Sequence, residues 1–121
     1  MSNEFECAFC TKKTENDLLE DNLFSAFRDK RPVSRGHTLI VPKRHVENFF
    51  EMAPEEGSHL FGFIVTVKNF LQSQYSPSGF NVGVNVGAAA GQTVFHAHIH
   101  VVPRYLGDVT DPRGGIRNVI H

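Results

Sequence analysis

Apolar residues recur at helical spacing in one long stretch of the chain, which runs from Pro54 to about Tyr75. Positions three or four residues apart lie on one face of a helix, so this stretch predicts an amphipathic helix of about five turns. Proline at the first helical position and glutamates in the first turn are typical of helix starts. His59 lies early in this stretch, and we expect its side chain to be solvated.

Shorter stretches have the composition or the alternation of strands, and turn residues separate them. In chain order they are Leu18–Glu20, Leu23–Arg28, His37–Val41 and Phe80–Val86. Asp21 and Asn22 supply a turn between the first two. The polar face of the fourth carries Asn85.

A further predicted strand has histidine at every second position, namely His96, His98 and His100. Side chains alternate across a strand, so all three imidazoles are expected on one face, about 7 Å apart. A polar surface face, a metal site and nucleophilic catalysis are three interpretations of this row. The small residues of Gly87–Gln92 link this strand to Phe80–Val86, so we expect the two to pair antiparallel. Such a loop also lets backbone N–H groups approach an anion closely.

Length and composition exclude several classes of protein. A chain of 121 residues with 40% hydrophobic residues predicts a single domain spanning residues 1–121. Its net charge of −1 argues against nucleic-acid binding and against a polybasic membrane surface. No apolar run approaches the roughly 20 residues that a membrane span needs. The polar N-terminus does not resemble a signal peptide, so we expect a cytoplasmic protein with reduced thiols.

The chain has a Cys-x-x-Cys motif at Cys7 and Cys10, called the knuckle here (residues 7–10). In a reducing compartment such a pair is half of a zinc site, a redox pair or an unligated structural pair. The redox form usually follows a strand, and few residues precede Cys7. The zinc form needs two further ligands, and the chain is rich in histidine.

The run His-Ala-His-Ile-His-Val-Val at residues 96–102 resembles the defining motif of the histidine-triad (HIT) family. The wider run around it is most similar to the fragile-histidine-triad branch and to bacterial dinucleoside polyphosphate hydrolases. The resemblance extends over most of the chain, from Cys7 to Asp108. It implies an α+β fold with an antiparallel sheet of about five strands, one long helix and a short helix. It also implies a homodimer. The residues after Pro103 have the composition of a loop, so we expect residues 103–121 to form a loop-rich C-terminal segment.

The resemblance implies a hydrolase that cleaves at the α-phosphate of dinucleoside polyphosphates, such as diadenosine tetraphosphate, or of related nucleotide conjugates. His98 would attack the phosphorus, and water would then hydrolyse the nucleotidyl-histidine. A nucleoside phosphoramidase is one alternative, and the chain lacks that branch's tryptophan-containing C-terminal segment. A nucleotide-binding protein without turnover is another.

Residue by residue, the resemblance implies three sets. The catalytic set is His98, His100, His37, Gln92 and Thr93. The nucleotide-binding set is Asp29, Asn85, Gly91, Phe9 and Phe27. The metal set is Cys7, Cys10, His45 and His96. Four protein ligands leave no open position on zinc, so this zinc is expected to be structural. A less favoured interpretation gives all three triad histidines to one catalytic metal.

Overall fold

The computed structural model describes residues 7–119, with side chains described as far as Arg117. The strands are β1 (Asp17–Glu20), β2 (Phe24–Arg28), β3 (Thr38–Pro42), β4 (Gly79–Gly83) and β5 (Ile99–Arg104). The α-helices are α1 (Ala8–Thr11), α2 (Pro54–Tyr75) and α3 (Gly115–Val119). Single 3₁₀ turns occur at Thr14–Asn16, Phe49–Glu51 and Ala88–Ala90.

All the strands belong to one sheet, in the order β1-β2-β3-β5-β4. Every neighbouring pair is antiparallel, including β4 with β5. The predicted α+β fold, with its antiparallel sheet and one long helix, is therefore confirmed. No helix within residues 7–119 is both long enough and apolar enough to cross a membrane.

Helix α2 covers one face of the sheet and has the predicted bounds. Its start is stabilised by the Glu56 carboxylate, which accepts the Ala53 N–H at 2.7 Å, and its end by Ser76 in a left-handed conformation. The buried core between helix and sheet consists of Phe24, Ala26, Ile40, Leu60, Phe63, Val67, Leu71, Ile99 and Val101. Burying each of the larger side chains contributes roughly 1.5–3 kcal/mol, so this core fixes the sheet on the helix.

The predicted triple-histidine strand is wrong in one respect, because β5 begins only at Ile99. His96 and His98 lie in the segment before β5, where the Ala97 N–H donates to the Val46 carbonyl at 2.8 Å instead of to a neighbouring strand. Strand β4 correspondingly ends at Gly83, opposite His100, and not at Val86 as predicted. Beyond that pair, β5 offers no strand for residues 84–86 to pair with.

The sheet face opposite α2 carries the residues of chemical interest. Phe27 lies opposite Leu39, and Leu39 lies opposite His100, so these side chains are in register across β2, β3 and β5. Paired residues of neighbouring strands project to the same face. Asp29 and His37 extend the same alternation beyond the strand ends.

Candidate functional site

His98 is held in one tautomer by the backbone. Its Nδ1 lies 2.8 Å from the carbonyl oxygen of His96, and a carbonyl only accepts hydrogen bonds. Nδ1 therefore carries the proton, which leaves the lone pair on Nε2. An imidazole nucleophile requires this arrangement. The ring is buried, and its centroid lies 5.3 Å from that of His100, closer than the predicted spacing of about 7 Å along a strand.

A second chain of hydrogen bonds fixes the tautomers of His37 and His100. The backbone N–H of Val33 donates to Nδ1 of His37 at 2.9 Å, so neutral His37 carries its proton on Nε2. That Nε2 lies 2.9 Å from Nδ1 of His100 and donates to it. Neutral His100 must then carry its own proton on Nε2, on the far side of its ring. We call this chain the histidine relay (Val33 N–H, His37, His100).

The relay favours neutral rings, because a proton added to Nδ1 of His100 would face the Nε2–H of His37. Burial, followed by the charges of His98 and His37, lowers the pKa of His100 to about 4, while Asp29 opposes the shift. Burial likewise lowers the pKa of His37, while Asp29 opposes the shift. At neutral pH both rings are therefore uncharged hydrogen-bonding groups.

Asp29 lies at the edge of the relay. Its Oδ1 accepts the Arg31 N–H at 2.9 Å. Its Oδ2 lies 3.4 Å from Nε2 of His37 and 3.9 Å from Nδ1 of His100. Together these three side chains have the donor types of a metal site. The relay argues against that use, because a metal on Nε2 of His37 would require a proton on Nδ1, which already accepts from Val33.

The Gln92 side chain is buried and clamps the backbone around the Gly/Ala loop. Its Oε1 accepts the Gly87 N–H at 2.9 Å, and its Nε2 donates to the carbonyls of Glu47 at 2.6 Å and Val94 at 3.0 Å. A primary amide has two N–H donors, and both are used here. The amide thus has no donor left for a phosphate, and its contacts suit a residue that shapes the loop.

The loop itself uses several of its own amides. The N–H groups of Ala90 and Gln92 donate to the Gly87 carbonyl at 3.1 Å, and that of Gly91 donates to Ala88 at 3.0 Å. Gly87 and Gly91 have φ angles of 88° and 94°, which favour glycine. Thr93, just after the loop, is exposed. Gly91 and Gln92 therefore do not offer free N–H groups to an anion, in contrast to our expectation.

A small pocket of about 90 Å³ lies beside His100. Its lining includes Val33, His37, Asn85 and Ile116. Asn85 is therefore in the neighbourhood expected of it, although it lies beyond the end of β4. Val33 and Ile116 were missed by the sequence analysis. Val33 contributes its backbone N–H, which donates to His37. Ile116 lines the pocket because the C-terminal part of the chain folds back onto it. Neither feature is visible as a local sequence pattern.

The expected metal ligands form a second cluster, two residues from His98 in sequence at its His96 member. One donor atom from each of Cys7, Cys10, His45 and His96 lies within 4.8 Å of the others. Nδ1 of His96 is 3.5 Å from Sγ of Cys7 and 3.4 Å from Sγ of Cys10, and Nδ1 of His45 is 3.2 Å from Sγ of Cys10. Tetrahedral zinc with Zn–S of about 2.3 Å and Zn–N of about 2.0 Å has S···N edges of roughly 3.6 Å.

The orientation of His96 fits metal binding as well. Its Nε2 lies 2.8 Å from the Pro42 carbonyl, so Nε2 carries the proton and the Nδ1 lone pair faces the two sulfurs. A metal-bound histidine usually has its other nitrogen fixed in this way. Burial lowers the pKa of His96, which keeps that lone pair free near neutral pH, although the Pro42 hydrogen bond opposes the shift. The donor set and its spacing therefore fit zinc.

Phe9 and Phe27 lie together between the two clusters. Their ring centroids are 5.4 Å apart, and Phe9 also meets His98 edge-on at 5.2 Å and His96 at 5.9 Å. Phe27 is buried with Leu39 and Val41, and Phe9 packs against that group. The two phenylalanines expected around a base therefore form an apolar wall adjacent to His98.

Residues 11–107 match the family model of the HIT domain. The chain is 38% identical over 104 residues to "Protein hit" of Bacillus subtilis, covering 82% of this chain and 71% of that protein. This chain belongs to the HIT family.

Two further relatives are informative for chemistry. The chain is 35% identical over 89 residues to an asymmetrical bis(5'-nucleosyl)-tetraphosphatase of Schizosaccharomyces pombe, covering 74% of this chain and 49% of that protein. The fold matches a crystal structure of a zinc-bound histidine triad family protein from Mycobacterium smegmatis with a TM-score of 0.77 and 30% identity. That match covers 97% of this chain and 92% of the other.

Proposed function

We propose that this HIT-family chain is a nucleotide hydrolase that cleaves dinucleoside polyphosphates at the α-phosphate through a nucleotidyl-His98 intermediate. The observation that carries the proposal is the hydrogen bond from Nδ1–H of His98 to the His96 carbonyl. It leaves an unprotonated Nε2 as the nucleophile without the need for a separate base. The tetraphosphatase of Schizosaccharomyces pombe supports this substrate class.

In the first step, the Nε2 lone pair of His98 forms a bond to the α-phosphorus as the bond to the bridging oxygen breaks. The leaving polyphosphate takes that electron pair. In the second step, water attacks the same phosphorus and releases one proton to solvent, the P–N bond breaks and its electrons return to Nε2. Nδ1–H keeps its carbonyl partner throughout, so the ring leaves as neutral imidazole. The products are a nucleoside monophosphate and the shortened nucleotide.

His100 supports the reaction as a hydrogen-bond donor. The relay places its proton on Nε2, where it can stabilise negative charge on a phosphate oxygen. The neutral relay has no extra proton to give away. A terminal phosphate group has a pKa of about 6 and can leave as an anion, whereas an amine with a pKa of about 10 must gain a proton to leave. The relay therefore favours a polyphosphate over a phosphoramidate.

We further propose that Cys7, Cys10, His45 and His96 hold a structural zinc ion. A closed set of sulfur and nitrogen ligands would supply folding energy and no open coordination position. The zinc-bound relative from Mycobacterium smegmatis supports this assignment. The expectations of a homodimer and a cytoplasmic location rest on the resemblance and on composition, and light scattering after gel filtration tests the first.

The test is product analysis by chromatography with diadenosine tetraphosphate and with an adenosine phosphoramidate. Wild type should release AMP and ATP from the first substrate faster than AMP from the second. His98→Ala should release neither, whereas His59→Gln, which changes a histidine on α2, should retain the rate. Binding of AMP to wild type without turnover of either substrate would contradict the hydrolase and favour a nucleotide-binding protein.

A further inference from the structure

The knuckle is attached to the sheet by side chains. The Thr11 N–H donates to the Cys7 carbonyl at 3.1 Å, a backbone hydrogen bond within the segment itself. The Thr11 hydroxyl and the Cys10 N–H also bond to Cys7. Links to the rest of the molecule include the cysteine–histidine contacts and the ring of Phe9.

The geometry of the turn places those two links side by side. Phe9 lies between the cysteines in sequence, and the turn that gathers both sulfurs at His96 also sets the Phe9 ring against His98 at 5.2 Å. Without a metal, the sulfur contacts are weak hydrogen bonds, because sulfur is a weak donor and acceptor. With a metal they are coordination bonds that hold the whole turn in place. The position of Phe9 therefore depends on what binds the cysteines.

We propose that a metal ion in the knuckle and a nucleotide bound at His98 strengthen each other's binding, because the knuckle holds Phe9 against His98. This inference rests on the proposed function, and it places the phosphate against His98 and the base against Phe9. A nucleotide then binds best to the state in which the knuckle is ordered, and the metal is what orders it. Phe9 acts here as a binding residue for the base, and its contact with His98 couples the metal to the nucleotide.

Thermodynamic linkage makes the effect reciprocal. If the metal raises the affinity for a nucleotide by some factor, the nucleotide raises the affinity for the metal by the same factor. In coupled sites, one ligand commonly changes the affinity for the other by about 5- to 150-fold. Because a single aromatic contact carries the coupling here, we expect a factor near the low end, at about tenfold.

The experiment measures zinc affinity by competition with a chromophoric chelator, without AMP and with saturating AMP. Zinc should bind wild type about tenfold more tightly with AMP. Calorimetry of AMP binding to zinc-loaded and chelator-treated protein should give the same factor. Phe9→Ala keeps all four ligands, so it should still bind zinc, with equal affinity in the two conditions. Phe61→Ala, an exposed phenylalanine on α2, is the matched control and should keep the tenfold difference.

Each other outcome overturns the inference in a distinct way. Equal zinc affinities in wild type, with AMP shown by calorimetry to bind, would refute the linkage and leave the proposed hydrolase intact. Failure of AMP to bind the zinc-loaded protein would refute both. Failure of wild type to bind zinc would refute the metal site and the linkage. A tenfold difference that persists in Phe9→Ala would mean that the coupling passes through His96, and would remove the role given to Phe9.

Discussion

Replacing Gln92 with leucine tests whether this residue shapes the Gly/Ala loop from within the protein interior. Leucine has a similar size but no polar atoms, so the change removes all three hydrogen bonds of the amide. The Gly87 N–H and the carbonyls of Glu47 and Val94 then lose their partner. These groups belong to half-buried residues, so water satisfies them only in part.

A buried backbone group that loses its partner costs about 1–3 kcal/mol, and partial hydration places these three at the low end. The expected loss is therefore about 3 kcal/mol of the free energy of unfolding. For a domain of this size, that lowers the midpoint of thermal unfolding by roughly 10 °C. Urea denaturation of the zinc-loaded proteins measures the difference directly. A loss of unfolding free energy below about 0.5 kcal/mol, as at an ordinary surface site, would refute the role of the Gln92 amide in holding the loop.

Gln92→Glu adds a pH test to the same position. One oxygen of the new carboxylate can accept from Gly87, but the other faces two carbonyl oxygens, so the folded state favours the protonated acid. The introduced group thus has a pKa raised above the unfolded value of about 4.3. The stability that the protonated carboxyl contributes is fully present below the unfolded pKa, and it is lost as pH rises through the raised pKa of the folded state. The deficit relative to wild type should therefore shrink from pH 7 to pH 4, and a deficit that grows would contradict the geometry.

Three other perturbations have definite expected outcomes. Asp21→Asn should destabilise by about 0.5 kcal/mol at pH 7 in urea denaturation. Burial raises the pKa of Asp21, but the N–H groups of Leu23 and Phe24 and the His59 ring together hold it below its usual value. The deficit should therefore still be present at about pH 4 and disappear as pH falls through that lowered pKa, where folded wild type becomes protonated too. His37→Phe removes the donor to His100, worth about 0.5–1.5 kcal/mol, so single-turnover hydrolysis should slow by roughly 2- to 12-fold; an unchanged rate would exclude the relay from the chemistry. A strong chelator should lower the thermal midpoint of zinc-loaded wild type but leave that of Cys7→Ser unchanged, and equal effects on both would contradict zinc at this site.

The elements that the sequence predicts best are those with a long repeated pattern. The bounds of α2 follow from Pro54 at its start and from apolar spacing sustained to Tyr75. The antiparallel pairing of β4 with β5, expected from the Gly87–Gln92 loop, is confirmed, although the connection between the two strands spans residues 84–98. Such patterns are local, and each further apolar residue at the same spacing supports the same element. Tertiary packing then only determines what the apolar face is buried against.

The parts that the sequence does not predict depend on distant backbone groups. His96 and His98 leave the strand because the Ala97 N–H bonds to Val46, which no local pattern announces. The tautomers of His37 and His98 depend on an N–H and a carbonyl, which every residue has. His59 was expected to be solvated, yet its half-exposed ring bonds to Asp21 at 2.7 Å and stacks on Phe24. These contacts exist only once the chain has folded.

The most direct test of the central claim is to trap the intermediate on His98. Wild type is mixed with diadenosine tetraphosphate, quenched by denaturation at basic pH on the millisecond scale, digested and analysed by mass spectrometry. The account predicts that the peptide containing residues 96–100 gains one adenylyl group, located on His98, that forms and decays at rates consistent with turnover. Turnover without any adenylyl-protein, or with the group on another residue, would contradict His98 as the nucleophile.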